Sequence, residues 1–180
     1  VLFENNVTDK NTAGAIYCGN NERKRIGGQW LLSADGGNIV FRGNLVKGSS
    51  GVFARALGIF AYAPENDYTG MSQPNGNLTM DFRAQAGREI VFYDGIDIES
   101  ITVAMPTLHI NRIPSDWADY GGIPVEFGGT VRFSGALTES FLVRNDGESD
   151  GDYAERVEAS RRVKLESNII VEGGRLVLEY

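Results

Sequence analysis

Cysteine, proline, histidine and basic residues are all scarce in this 180-residue chain. Cys18 is the only cysteine, so the chain can form neither an internal disulfide nor a thiolate metal cluster. A catalytic thiol would need a basic partner, and the single histidine, His109, is distant in sequence; we therefore expect Cys18 to be a small buried apolar residue. We expect His109 to be an outward strand residue, because no second histidine is present to share a metal. No apolar run approaches the roughly 18 residues of a membrane span. A net charge of −7 disfavours binding to nucleic acid or to anionic membrane surfaces.

The remaining composition is that of a folded domain. Hydrophobic residues make up 42% of the chain and charged residues 23%, which argues against disorder. A length of 180 residues suits one domain. The chain begins at Val1 without a basic and then apolar leader segment. We therefore expect residues 1–180 to be a single segment of a longer protein.

Short β-branched and aromatic runs bounded by glycine, asparagine, aspartate or serine dominate the chain, and this pattern predicts many short strands. A helix is hard to find, and 153–165 favours at most a single helical turn. The predicted strands are 1–5, 14–18, 29–34, 38–43, 50–56, 57–63, 77–84, 88–94, 100–104, 108–112, 125–135, 140–145 and 163–180.

One short pattern recurs along the chain: a β-branched and aromatic run closed by polar residues or glycine, which we call the recurring phrase. Its spacing distinguishes two all-β architectures, an antiparallel sandwich or barrel and a parallel β-helix. The phrase recurs at Phe3, Phe41, Phe92, Phe133 and Val171. A return about every 40 residues predicts a β-helical solenoid, with stacked coils of about 20 residues each. Asn75-Gly76 and Asp146-Gly147 are only weak hairpin signals, because neither lies tightly between alternating strands. In a β-helix the phenylalanines would stack inward as an apolar ladder, and asparagines such as Asn44 would form the corners.

Two short motifs carry a family resemblance. Phe3–Asn6 (FENN) and Phe41–Asn44 (FRGN) are Phe-x-x-Asn tetrapeptides, and Gly14, Ala15 and Ile16 lie in a near match to Gly-Gly-Ala-Ile. Further along, AGREIVFYDGI (86–96), GGTVRFSGALTE (128–139) and NIIVEGGRLVLEY (168–180) follow in the same order. This series resembles the passengers of the chlamydial polymorphic membrane proteins, a group of autotransporters, although Gly95 stands where those passengers usually have proline.

The resemblance implies a right-handed parallel β-helix that is exported through the outer membrane by a C-terminal β-barrel of the parent chain. It further implies a passenger at the cell surface or released from it, which attaches to a host-cell protein or glycan and needs no cofactor or catalytic residue. Self-association of the passenger is a further expectation.

An enzyme is the alternative, because polysaccharide lyases and glycosidases also use parallel β-helices with carboxylates along a groove. Asp94, Asp97 and Glu99 could line one outer face, but the same residues also suit an ordinary strand and its turn. A purely structural stalk is a third interpretation.

The acidic stretch 145–153 resembles the first half of a calcium loop. Asp146, Glu148 and Asp150 are followed by Gly151, but Val157 stands where the bidentate glutamate belongs. A solvated surface loop explains this composition without a ligand.

Two polar loops are the predicted partner-binding segments. Residues 63–77 contain Asn66 and Tyr68, and residues 113–124 contain Trp117 and Tyr120. Projecting loops often carry contacts, and aromatic side chains in them anchor interfaces or stack on sugars. The same aromatics could instead pack back onto the strands.

Overall fold

The computed structural model describes residues 1–8, 14–19, 29–47, 53–63, 79–100, 107–112, 127–135, 139, 142–165 and 167–179. These residues form fifteen strands in three sheets, together with one helix of twelve residues. Parallel pairing dominates all three sheets, so the predicted mostly-β, parallel character is confirmed.

Sheet A has the order β1-β5-β9-β12-β15, and all of its pairs are parallel. Its strands are β1 (Leu2–Glu4), β5 (Ile39–Arg42), β9 (Glu89–Phe92), β12 (Thr130–Ser134) and β15 (Arg175–Glu179).

Sheet B has the order β13-β10-β7-β6-β2, and β3 also pairs with β7. The pair β6–β7 is antiparallel, whereas the remaining pairs are parallel. The strands are β2 (Val7–Thr8), β3 (Ile16–Gly19), β6 (Leu45–Lys47), β7 (Phe53–Ala63), β10 (Gly95–Ser100) and β13 (Val163–Leu165).

Sheet C has the order β14-β11-β8-β4 and is parallel throughout. Its strands are β4 (Gln29–Ala34), β8 (Thr79–Ala84), β11 (Thr107–Ile110) and β14 (Asn168–Val171).

The chain visits the sheets in a fixed order, from A to B to C and back to A. We call the stretch from one strand of sheet A to the next a pass. Phe41 pairs directly with Phe3, so one recurrence of the phrase is one full pass through all three sheets. The expected shorter coil, with two coils to each recurrence, is therefore wrong. Val171 is also not in the ladder: it pairs with Ile110 in sheet C, and Leu178 stands opposite Phe133.

One apolar core receives side chains from all three sheets. The rings of Phe3, Phe41, Phe92 and Phe133 form a continuous stack along sheet A, with centroids 4.6, 4.6 and 5.1 Å apart. Such offset aromatic pairs add stabilisation beyond the area they bury. Alternate residues of sheets B and C complete this core, among them Ile59, Ile96, Ile98, Met80, Phe82, Leu108 and Ile110. The ladder predicted from the recurring phrase is therefore present at these four positions.

The prediction of at most one helical turn is wrong, because α1 runs from Asp150 to Arg161. Ser149 caps its first turn by accepting a hydrogen bond from the backbone N–H of Asp152. Acidic residues in the first turn and Arg161 in the last complement the helix dipole. The helix buries Val157 and Ser160 but has no wide apolar stripe. Its caps and its packing on β7 stabilise it instead. That narrow contact explains why the sequence pattern does not predict the helix.

Within the described residues, no helix is long and apolar enough to cross a membrane.

Candidate functional site

The corner between sheets A and B is built from a ladder of polar side chains, Asn6, Asn44 and Asp94. Asn6 Nδ2 donates to Asn44 Oδ1 at 2.7 Å, and Asn44 Nδ2 donates to Asp94 Oδ2 at 2.5 Å. The backbone N–H of Asn44 also donates to Asp94 Oδ2, and Asn44 Nδ2 reaches the carbonyl oxygen of Phe3. Asn44 is fully buried, so these bonds satisfy groups that water cannot reach. The asparagines of both Phe-x-x-Asn motifs thus join successive passes.

Gly14 belongs to the same corner. A Cβ atom added there would lie 2.6 Å from the backbone carbon of Asn44, so only glycine fits without a shift of the backbone. Ala15 and Ile16 pack, partly buried, against the core, and Ile16 pairs with Ile59. The two motifs that carry the family resemblance therefore meet at one place in the fold. Cys18 lies on β3 opposite Ala61.

The carboxyl of Asp94 is buried, and burial raises its pKa from 3.8 to about 6. Hydrogen bonds from the side chain and backbone of Asn44, and from the backbone of Gly43, lower this pKa by less. Among the described residues, none makes a hydrogen bond of ordinary geometry to Oδ1 of this carboxyl. Asp97 is also buried, between the core residues Ile96 and Ile98 in sequence. Asp94 and Asp97 are thus enclosed, so the alternative of an outer face lined by them lacks the exposed carboxylates that a groove requires. Glu99 lies on the same strand as Asp97, β10.

A second corner, between sheets C and A, depends on Asn111, which none of the sequence motifs contains. Asn111 has a φ of 58° and is fully buried. Its Oδ1 accepts from the backbone N–H of Ala84, and its Nδ2 donates to the carbonyl oxygens of Gly129 and Gly173. One side chain thus ties together three passes. In the sequence, this corner is indicated only by an asparagine that directly follows the strand residues LHI. Asparagine tolerates left-handed backbone.

The acidic stretch 145–153 is organised by arginines. Arg156 binds Glu148 in a bidentate pair, with Nε–Oε1 and Nη2–Oε2 distances of 2.5 and 2.6 Å. Hydrogen bonding to Arg156 lowers the pKa of Glu148 from 4.5 to about 2. Arg144 pairs with Asp150, which begins the helix. Across the described part of the chain, which includes this whole stretch, no group of three or more His, Cys, Asp or Glu side chains is arranged to hold a metal ion. Glu148 fixes the turn before α1 by accepting hydrogen bonds from Arg156 and from the backbone N–H of Asn145.

The outer face of sheet C carries a cluster of charged groups that no sequence motif predicted. Asp81 and Arg83 alternate with the core residues of β8 and so point to the outer face, yet both are buried. Arg112 Nη2 lies 2.6 Å from Asp81 Oδ2, and Arg83 Nη2 lies 3.5 Å from the same oxygen. Beside them, His109 Nδ1 lies 2.8 Å from Glu172 Oε2. We call these five residues the C-face cluster.

The C-face cluster lies between two apolar positions. Outward residues in one register row are Leu31, Asp81, His109 and Ile170, and the first and last of these are exposed. Arg112 is the better exposed of the two arginines that hold Asp81. Arginine and exposed apolar side chains together are typical of contact surfaces. Asp81 and Arg83 are enclosed, so the exposed side-chain area of the cluster belongs to Arg112, His109 and Glu172. Basic side chains hold both of its carboxylates.

The predicted partner-binding residues Asn66, Tyr68, Trp117 and Tyr120 lie outside the described residues. In sequence, both predicted loops adjoin sheet C: loop 63–77 precedes β8, which begins at Thr79, and loop 113–124 follows Arg112. One predicted loop therefore precedes one strand of sheet C, and the other follows a different strand of that sheet.

Neither a family model, nor a curated protein, nor a solved structure matches this chain.

Proposed function

We propose that the chain is a right-handed parallel β-helix. Three observations support this architecture: the fixed order of visits to three sheets, the parallel register along sheets A and C, and the single core that all three sheets share. Each strand of sheet A then lies directly above its predecessor, and every pass is one coil of the helix.

The β-helix serves as part of an autotransporter passenger that is displayed at the cell surface or released, and that attaches to host cells. The observation that carries this proposal is the meeting of Phe41, Asn44 and Gly14, because the motifs of the resembling family occupy structural positions that explain their residue types. Phenylalanine fills the ladder, asparagine bridges passes, and glycine permits the close approach.

Contact with the partner is made through sheet C. Its outer face presents the C-face cluster, and the two polar and aromatic segments 64–78 and 113–126 adjoin its strands in sequence. A surface protein or a glycan suits such a face, since arginines pair with carboxylates and aromatic side chains stack on sugar rings. Attachment of this kind requires no cofactor and no bond breaking.

Attachment can be measured with beads coated with this chain and incubated with cultured host cells. We expect the wild-type chain to bind saturably, and free chain in solution to compete. Replacing 64–78 and 113–126 by Gly-Ser segments of equal length should abolish binding while the far-ultraviolet circular dichroism keeps its β signal. Arg132→Ala on the outer face of sheet A is the matched control and should bind as wild type.

Two results would contradict the proposal. Equal attachment by the loop-replaced variant would remove segments 64–78 and 113–126 from the contact, and no attachment by the wild-type chain would leave this chain a stalk without a receptor site of its own.

A further inference from the structure

The corner between sheets A and B is built differently after β12 than after the earlier strands of sheet A. Two residues form each of the three earlier corners, 5–6, 43–44 and 93–94. After β12, residues 135–162 take the place of that corner and contain α1; we call these residues the insertion. The chain then enters β13, which pairs with β10 directly after Asp94. The end of the insertion therefore lies where the next side chain of the polar ladder would be expected.

Asp94 is the last member of the polar ladder, and one of its two carboxyl oxygens is not used by the ladder. Oδ2 accepts hydrogen bonds from the backbone N–H and the side chain of Asn44. Oδ1 is enclosed and, within the described residues, accepts no hydrogen bond of ordinary geometry. A buried carboxylate needs hydrogen bonds on both oxygens, because each missing bond leaves charge without solvation. The corner therefore suits the neutral, protonated form of Asp94 better than the ionised form.

The end of α1 lies against the residue that follows Asp94. A Cβ atom added at Gly95 would lie 3.0 Å from the carbonyl oxygen of Ser160 and 2.9 Å from that of Arg162. The backbone N–H of Ile96 donates to the same carbonyl oxygen of Arg162. Carbonyl oxygens at the end of a helix carry partial negative charge, so they disfavour a carboxylate nearby. We therefore expect ionisation of Asp94 to weaken the contact between β10 and the end of α1.

The surroundings of Asp94 supply no charge that would offset its ionisation. Among the described residues, its carboxyl is hydrogen-bonded by uncharged groups, the side chain and backbone of Asn44 and the backbone of Gly43. On β7, Gly58 lies beside Asp94 and has no side chain to carry a charge. The charged residues of the adjoining elements have other partners or are exposed: Arg42 pairs with Glu4, Arg161 pairs with Glu139 and Glu158, and Arg162 is exposed. Burial thus raises the pKa of Asp94 to about 6, and no charge is among the causes.

Helix α1 is held to the sheets by few contacts. It buries Val157 and Ser160, and the Oγ of Ser160 accepts a hydrogen bond from the backbone N–H of Ala56 on β7. An element with so few buried contacts opens at a lower free energy than the strands of the core. We propose that α1 is a pH-controlled cap, whose end is held against β10 while Asp94 is protonated and is released when Asp94 ionises. Release separates Ser160 from Ala56 and lets water reach the corner.

Hydrogen exchange of the native chain measures this release, because the Ala56 N–H is bonded to Ser160 of α1. The pKa of Asp94 is about 6 with the cap closed and 3.8 once water reaches the carboxyl, so opening should become about 60-fold more favourable between pH 4 and pH 8. We expect the protection factors of Ala56 and of the α1 amides, corrected for the pH dependence of intrinsic exchange, to fall by this factor. Asp94→Asn should show no such fall, because its corner stays uncharged at every pH.

A second measurement separates release of the cap from unfolding of the whole chain. The Gly129 N–H donates to Ala84 at the corner between sheets C and A, and serves as the reference for global unfolding. Low concentrations of urea should accelerate the exchange of Gly129 and leave that of the α1 amides nearly unchanged, because a local opening exposes little surface.

Glu148→Gln is the matched control. It removes a carboxyl from the turn before α1, and the pKa of that carboxyl, about 2, lies below the range of the experiment. The variant should weaken the protection of α1 equally at pH 4 and pH 8, so the fall between the two should match that of the wild type. Loss of the fall in this variant would assign the pH response to Glu148 and contradict the role of Asp94.

Three further results would overturn the cap. Protection of α1 in the wild type could stay constant from pH 4 to pH 8, or it could fall equally in Asp94→Asn. The α1 amides could also share the urea dependence of Gly129, which would show that α1 opens only when the whole chain unfolds.

Discussion

Asn44 donates from its side-chain nitrogen to the buried carboxylate of Asp94, 50 residues further along the chain. The two residues lie at the same corner of successive passes, and Asn6 extends the ladder on the other side. Position 94 therefore holds an acid where the two preceding corners hold the amides of Asn6 and Asn44. Burial of this carboxyl disfavours its charged form and so raises its pKa.

The raised pKa of Asp94 predicts a stability that falls as pH rises. Between 3.8, the ordinary value, and about 6, the folded chain holds a proton that the unfolded chain has lost. The contribution of Asp94 is thus fully present below pH 3.8 and is lost as pH rises through 6, a change of about 3 kcal/mol at most. In Asp94→Asn, this pH-dependent part of the free energy of unfolding is absent. Urea unfolding of both proteins from pH 4 to pH 8 should show the wild type losing stability relative to the variant.

The matched control is Asp35→Asn, in an exposed turn. It tests the effect of removing a carboxyl group as such, since this residue is exposed. A flat difference for Asp94→Asn would mean that this carboxyl titrates normally.

The phenylalanine ladder predicts graded losses of stability. Phe92 is fully buried and stacks on Phe41, Phe82 and Phe133, so Phe92→Ala leaves a closed cavity and should cost about 3–5 kcal/mol. Phe3 is partly exposed and stacks on Phe41, and Phe3→Ala should cost clearly less. Chemical denaturation of both variants provides the comparison. Equal costs would contradict a ladder that ends at Phe3.

Asn111 predicts two separable costs. Asn111→Ala removes the hydrogen bonds to Ala84, Gly129 and Gly173. It also places alanine at a positive φ, where its Cβ is strained and its side chain forms no hydrogen bond with the local backbone. Asn111→Gly removes the same bonds but relieves the backbone, so it should be more stable than the alanine variant by about 1 kcal/mol. Both should be less stable than wild type by at least about 2 kcal/mol, since buried backbone groups lose their partners. Thermal unfolding measured side by side tests the order wild type, glycine, alanine.

The Glu148–Arg156 pair predicts acid sensitivity of the turn before α1. The lowered pKa of Glu148 means that its contribution is present above pH 4.5 and is lost as pH falls through 2. Glu148→Gln should therefore lower the melting temperature at pH 7 and matter less at pH 2. Arg156→Met should have a similar effect, and the double variant should lose less than the two single losses together, because both members act through one contact. Additive losses would show that the pair is not coupled.

The ladder could be predicted because a period of two places every second residue inward and the phrase recurs at Phe3, Phe41, Phe92 and Phe133. The make-up of a pass could not, because in the described part of the chain a pass holds three or four strands, joined by connections of unequal length. The burial of Asp94 could not be predicted either, since alternation along a strand does not continue through the corner that follows Phe92.

The candidate site was harder to predict than the ladder. Asp81 and Arg112 are 31 residues apart and meet only because β8 and β11 are neighbours in sheet C. No local motif encodes such a pair; the register of the sheet brings it together. Helix α1 escapes prediction for a related reason, because its stability depends on Ser149 and on packing against β7.

Contacts between phenylalanine rings test the stacked, parallel architecture most directly. In a chain deuterated except at its nine phenylalanines, nuclear Overhauser effects between ring protons can be assigned by replacing each phenylalanine in turn with leucine. We predict cross-peaks linking Phe41 to both Phe3 and Phe92, and Phe92 to Phe133, each across one full pass of the chain. Absence of these three cross-peaks from a folded chain would contradict the stacked parallel passes on which the proposed β-helix depends.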